Sequence, residues 1–207
     1  MPKHFQSYYI TDRRQLKSYD LAVVVAEAIA AGVDWVQIRE KDLPARAMLA
    51  LTKTAVELAG RQGHTRVIVN DRLDVALAAA AHGVHLGTRS MPLALVRRLA
   101  PRGFIVGVSC HSRQDVLAAE KGGADYALLG PIFPTPSKLP YGPPLGLAAL
   151  RDATSQATIP VLALGGISQD RLTLCAQNGA AGVAGIRIFQ DCASMKELMR
   201  VWRAAAR

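Results

Sequence analysis

The chain has 207 residues, half of them hydrophobic, and 25 basic against 16 acidic side chains give a formal charge of +9. That composition fits one α/β domain over residues 1–207 with a full core, and no apolar run approaches the roughly 18 residues of a membrane span. The basic residues are dispersed and aromatics make up only 5%, which argues against nucleic acid and for small anionic substrates. In chain order the periodicity predicts strand 8–10, helix 20–31, strand 35–39, helix 44–59, strand 67–70, helix 73–81, strand 84–86 and helix 92–99. It continues with strand 105–109, helix 114–121, strand 126–129, helix 147–155, strand 161–164, helix 170–178, strand 183–186 and helix 193–205. Strict alternation requires a parallel sheet, and eight short units close naturally into a (β/α)₈ TIM barrel. An open doubly wound sheet would want a glycine-rich turn after the first strand, where Thr11-Asp12-Arg13-Arg14 stands instead.

Cys110, Cys175 and Cys192 are odd in number and widely spaced, so they read as free thiols in a reducing compartment. Met1-Pro2-Lys3-His4 runs straight into a strand-like segment without a signal peptide, and the expected location is cytoplasmic. A glycine recurs before each even-numbered strand, as in Gly32, Gly83, Gly122-Gly123 and Gly179, and a helix C-cap is the expected reason.

The chemistry concentrates where strands end. Gln37-Ile38-Arg39-Glu40-Lys41 follows the apolar Val33-Asp34-Trp35-Val36, and period-two geometry turns Gln37, Arg39 and Lys41 to one face. Two cations and an amide at the carboxyl end of a buried strand make an anion site. The same switch recurs at Asn70-Asp71 after Val67-Ile68-Val69, and Asp71 is the candidate ligand for Mg²⁺, which takes one or two carboxylates plus substrate oxygens. Gly165-Gly166 and Gly185 fall after strand seven and on strand eight, where barrels commonly bind phosphate, and Arg187 either strengthens that site or fills it. Thr135, Ser137 and Lys138 tip a proline-studded loop that offers donors to an anion. His85 and His111 are lone histidines near strand ends, each either a core residue or an acid/base.

In these blocks the chain resembles the thiamine-phosphate synthase and TenI superfamily, from Tyr9-Ile10-Thr11-Asp12 to Arg187. The carriers are Gln37–Lys41, Asn70-Asp71-Arg72, Gly83-Val84-His85-Leu86-Gly87, Gly107-Val108-Ser109-Cys110-His111-Ser112, the segment 130–138 and Gly165-Gly166-Ile167. The resemblance implies a (β/α)₈ barrel that captures a pyrimidine methyl cation, formed by loss of pyrophosphate, with the nitrogen of a thiazole phosphate. It implies that Gln37, Arg39, Lys41, Asn70 and Lys138 hold the pyrophosphate, that Asp71 ligates Mg²⁺, that Ser109 lies beside the pyrimidine, and that Thr135 and Ser137 meet the thiazole phosphate. The partners implied are small phosphorylated substrates, with no membrane and no nucleic acid, and homo-oligomer formation is left open. Two positions depart from the family pattern: Ser90 stands where a second metal-binding aspartate is expected, and Arg187 where a phosphate-binding serine is expected. TenI-type proteins share the first departure, and some are tautomerases of a thiazole carboxylate phosphate, for which His111 is the implied acid/base. A catalytically silent, regulatory thiazole-phosphate binder is the remaining alternative.

Overall fold

A computed structural model describes residues 5–16, 20–135 and 142–205. Its sheet is a closed parallel barrel in the order of the sequence, built from β1 (Gln6–Ile10), β2 (Trp35–Ile38), β3 (Arg66–Asn70), β4 (Gly83–Leu86), β5 (Ile105–Cys110), β6 (Tyr126–Leu129), β7 (Val161–Leu164) and β8 (Gly182–Gly185). Helices α1 (Leu21–Ala30), α2 (Ala45–Gln62), α3 (Leu73–Ala78), α4 (Leu93–Leu99), α5 (Arg113–Lys121), α6 (Gly146–Gln156), α7 (Leu172–Gln177), α8 (Arg187–Gln190) and α9 (Met195–Ala205) follow the strands. Local chemistry sets several of their ends. The Asp20 carboxylate accepts from the Ala22 N–H at 3.0 Å to start α1, and the Ser112 hydroxyl accepts from the Asp115 N–H at 3.1 Å to start α5.

Three expectations change. β2 ends at Ile38 rather than at residue 39, because the Arg39 N–H leaves the ladder and donates to the Thr11 hydroxyl at 2.9 Å. The short helix α8 intervenes after β8, so Arg187 opens a helix and does not extend a strand. Gly83 lies within β4; a Cβ there would strike the backbone of Ile105, so close strand packing and not a cap accounts for it. The left-handed residue between α3 and β4 is Ala80, at φ 53°.

Period two along each strand divides the core. Outward residues such as Val36, Val67, Val69, Val84, Val106 and Val183 pack beneath the helices, while Tyr8, Ile10, Tyr126, Leu128, Leu162 and Ala184 fill the barrel with Trp35 against them. Within that interior Trp35 contacts both tyrosines, at 5.8 Å from Tyr8 and 5.3 Å from Tyr126. The indole N–H donates to Gln6 Oε1 at 2.7 Å. Gly107 faces the Tyr126 ring, and a Cβ on it would occupy the same space as the ring.

The aromatic half of the interior therefore depends on a missing side chain. Gly107→Ala should destabilise the fold by about 1–3 kcal/mol, as overpacking of a filled core does. Gly60→Ala, on the exposed last turn of α2 with open space around it, should instead stabilise by about 0.5–1 kcal/mol. Urea unfolding of both variants against the parent checks the pair, and equal effects would remove the packing argument.

Candidate active site

In a parallel barrel every strand's carboxyl end opens at the same mouth. Asn70 ends β3, and Asp71 follows it; Ser109 lies one residue from the end of β5, and His111 follows that strand; Gly165-Gly166 follows β7. Arg39 and Lys41 come directly after β2, and Thr135 lies in the segment after β6. The structure thus brings these predicted residues to one end. Ser137 and Lys138 lie outside the described residues.

The two carboxylates in the segment after β2 are neutralised locally. Glu40 is buried and accepts from the Arg13 backbone N–H at 3.1 Å and from Arg13 Nη1 at 3.2 Å. Asp42 receives a bidentate pair from Arg13, both bonds 2.7 Å, and a further 2.7 Å bond from Arg14. These guanidinium hydrogen bonds hold the Asp42 carboxyl down at about 2. Arg39 has no ion pair among the described residues, so its charge is uncancelled at the mouth. A cleft of about 110 Å³ is lined by Asp12, Arg14, Arg39, Glu40, Lys41 and Asp42.

The floor beneath these cations is polar and neutral. Gln37, 1% exposed, donates one amide N–H to Asn70 Oδ1 at 3.0 Å, and among the described residues its buried Oε1 has no hydrogen-bond partner. His85 Nε2 lies 2.9 Å from the Ser109 hydroxyl, and its Nδ1 lies 3.1 Å from the Tyr126 hydroxyl. Burial, with Arg39 nearby, lowers the His85 pKa to about 3, so this imidazole is neutral at physiological pH. His111 is exposed; its N–H donates to Asp115 at 2.8 Å and its Nδ1 lies 2.6 Å from the Gly130 carbonyl oxygen. A carbonyl only accepts, so Nδ1 carries the proton and Nε2 is the basic nitrogen.

Asp71 adopts φ 65° and its N–H donates to the His85 carbonyl at 2.9 Å. A short polar residue tolerates this left-handed geometry, which turns the chain out of the ladder and exposes the carboxylate. Ser90 is no substitute ligand of equal strength, since its hydroxyl accepts from the Gly87 N–H at 2.8 Å within its own loop. Among the described residues no group of three or more His, Cys, Asp or Glu forms a metal cage. One exposed carboxylate still suits Mg²⁺ that takes its other ligands from substrate oxygens and water.

At the β7 end Gly165 and Gly166 adopt φ 94° and 65°, and a Cβ on either would press into the Pro131–Pro134 segment. Arg171, which the sequence reading missed, ties these two loops together. Its Nη1 donates to the Gly166 carbonyl at 2.6 Å, and its guanidinium sits 4.6 Å over the Phe133 ring. Arg187 departs from the phosphate-facing expectation: its Nε donates to Asp191 at 3.1 Å and its side chain is 67% exposed. Opening α8 places it one turn before that carboxylate, and the i,i+4 pair turns its charge outward. Tyr8 and Tyr126 were also missed as site residues, although strand parity puts them on the same inward face as His85 and Ser109.

Comparison with known proteins agrees with this geometry. The sequence profile of the family described as thiamine monophosphate synthase matches residues 7–189. A Geobacter sulfurreducens protein named "Putative thiamine-phosphate synthase" is 49% identical over 180 residues, which is 87% of this chain and 84% of that protein. A Desulfitobacterium hafniense thiamine-phosphate synthase is 36% identical over 98% of this chain and 100% of its own length. The solved structure of thiamine phosphate pyrophosphorylase from Pyrococcus furiosus superposes with a TM-score of 0.87 at 35% identity, covering 97% of this chain and 96% of that one. The chain belongs to the thiamine monophosphate synthase family.

Proposed function

We propose that this protein is a thiamine-phosphate synthase, a transferase that joins hydroxymethylpyrimidine pyrophosphate to a thiazole phosphate and releases pyrophosphate. The observation that carries the reading is the charge arrangement after β2, where Arg13 and Arg14 take up Glu40 and Asp42 and leave Arg39 beside a neutral hydrogen-bonding floor. The reaction needs such a division. As the pyrimidine methyl C–O bond breaks, its electron pair leaves with the pyrophosphate, and cations already in place stabilise that growing charge. The thiazole nitrogen then supplies the pair for the new C–N bond.

Arg39 and Lys41 would hold the leaving group, joined by Lys138 from beyond the described residues, and Asn70 would orient it. Gln37 fits a different task from the pyrophosphate contact that the family resemblance implied. One of its two amide N–H bonds goes to Asn70, and its oxygen, without a partner among the described residues, is a buried acceptor, which repels phosphate oxygens and suits an N–H on the pyrimidine. Ser109 would contact the same ring. Thr135, Ser137 and the backbone N–H groups at Gly165-Gly166 would hold the thiazole phosphate, as an anion is held by amides after β7. Arg187 has its charge directed to Asp191 and is assigned no role in binding. Asp71 would hold Mg²⁺ together with pyrophosphate oxygens, and the bound ion would supply further neutralisation of leaving-group charge. The free thiols Cys110, Cys175 and Cys192 and the absence, among the described residues, of a helix able to cross a membrane fit a cytoplasmic enzyme.

One observation favours a second reading. His111 has a basic Nε2 fixed by the Gly130 carbonyl, and a proton shift on a thiazole carboxylate phosphate needs such a base and no metal. Purified protein given both synthase substrates and Mg²⁺ should form thiamine phosphate, and Arg39→Ala should weaken pyrophosphate binding by about 1.5–3 kcal/mol in calorimetry. Product formation from the tautomerase substrate alone, insensitive to chelator and lost in His111→Ala by about 10²–10⁴-fold, would transfer the assignment to the second reading.

The single carboxylate also makes a metal prediction. Ser90→Asp keeps an acceptor for the Gly87 N–H and adds a charge, so it should tighten Mg²⁺ binding in the presence of pyrophosphate. Titration calorimetry checks this independently of turnover, and unchanged Mg²⁺ affinity would show that the loop after β4 does not face the ion.

A further inference from the structure

A four-residue hydrogen-bonded chain runs from the closed floor of the barrel to its open mouth. The Tyr8 and Tyr126 hydroxyls are 2.7 Å apart, Tyr126 reaches His85 Nδ1 at 3.1 Å, and His85 Nε2 reaches the Ser109 hydroxyl at 2.9 Å. We propose that His85 is a positioning residue, held by the two phenols as the Nε2–H tautomer, which donates to Ser109 and turns the Ser109 O–H outward as a hydrogen-bond donor to substrate.

Counting hydrogens decides the direction. Three hydroxyls and one neutral imidazole carry four hydrogens, and the chain has three internal links. One hydrogen must therefore point away from the chain, at Tyr8, Tyr126 or Ser109. If it pointed away at Tyr8 or Tyr126, a phenol O–H with no further hydrogen-bond partner among the described residues would be left in a buried site, packed by Trp35 and Ala184. Buried donors without acceptors are rare because their lost hydration is not replaced. At the other end Ser109 is partly exposed at the mouth, where water or a substrate atom can accept. The order is then Tyr8 O–H to Tyr126, Tyr126 O–H to His85 Nδ1, and His85 Nε2–H to Ser109.

Burial raises both phenols above their usual range and lowers the imidazole, so neither charged form disturbs this count near neutral pH. Ring packing supports the geometry as well: His85 stacks on Tyr126 at 5.7 Å with 28° between planes, which keeps Nδ1 on the phenol and fixes the direction of Nε2. The consequence is chemical selectivity. Ser109 would present a donor and Gln37 Oε1 an acceptor to the same bound ring, so the floor would discriminate a heterocycle with one bare nitrogen and one N–H from rings lacking either. The assignment of that ring as a pyrimidine rests on the function proposed above.

The test is the ¹⁵N spectrum of histidine-labelled full-length protein between pH 6 and 8, with the His85 signals identified by their loss in His85→Gln. The expected result is a protonated Nε2 and an unprotonated Nδ1 throughout that range. Tyr126→Phe, which keeps the ring, should move the Nδ1 resonance toward that of an imidazole without a donor, and Tyr8→Phe should move it less. Tyr126→Phe should also weaken binding of the pyrimidine pyrophosphate by about tenfold or less, the scale of one neutral hydrogen bond. A parent spectrum with Nδ1 protonated, or an Nδ1 resonance unmoved in Tyr126→Phe, would overturn the proposal. The spectrum is read without substrate, so a lack of synthase turnover would count against the reaction and not against this tautomer.

Discussion

The Tyr126 ring fits inside the barrel because Gly107, facing it on the neighbouring strand, has no side chain. That fit closes the amino-terminal half of the interior with Tyr8, Trp35 and Tyr126. It also delivers a phenol hydroxyl to His85, which no aliphatic filling could do. The dry packing below and the polar floor above are thus joined by one side chain. Gln37, Asn70, His85 and Ser109 occupy the next inward positions toward the mouth, and their hydrogen bonds to one another hold them without any charged group among them.

The charges are kept in the loops instead. Arg13 is bonded to both Glu40 and Asp42, so the segment after β1 is cross-linked to the segment after β2. That cross-link leaves the sign of the mouth positive at Arg39, while the alternation of side chains sends Ile38 into the outer core. A parallel division exists across the barrel, where Arg171 joins the Gly165-Gly166 turn to Phe133. A neutral floor between two held rims suits a reaction that separates an anion from a carbon centre and then closes a new bond at that centre. Cations close to the leaving group help; carboxylates beside it would oppose its charge.

The barrel was legible in the sequence because eight short apolar runs alternate with amphipathic stretches, and both periods survive in the burial pattern. Residues at strand ends were legible for a related reason: an abrupt change from apolar to polar, as at Gln37 and Asn70, has few structural explanations inside a barrel. Boundaries failed where a side chain outbid the ladder, as Thr11 does for the Arg39 N–H, or where a brief helix such as α8 carries too few residues for a period to show. Arg187 illustrates the second case, since its pairing with Asp191 follows from helical spacing that the sequence reading did not assign. Arg171 left no signal, because its partners are a backbone carbonyl and a ring from another loop. The Tyr8–Tyr126–His85 chain lay hidden for a different reason: its members read as ordinary core residues until strand register sets them side by side.

The central claim is that the mouth is divided into a cationic leaving-group side at Arg39 and a neutral ring-binding floor at Gln37 and Ser109. A crystal structure with pyrophosphate and a pyrimidine compound bound together tests it most directly. The account predicts phosphate oxygens within hydrogen-bond distance of the Arg39 guanidinium, and the ring between Gln37 Oε1 and the Ser109 hydroxyl. Pyrophosphate bound elsewhere, for instance at Arg187 on the far side of β8, or a ring that touches neither Gln37 nor Ser109, would contradict it.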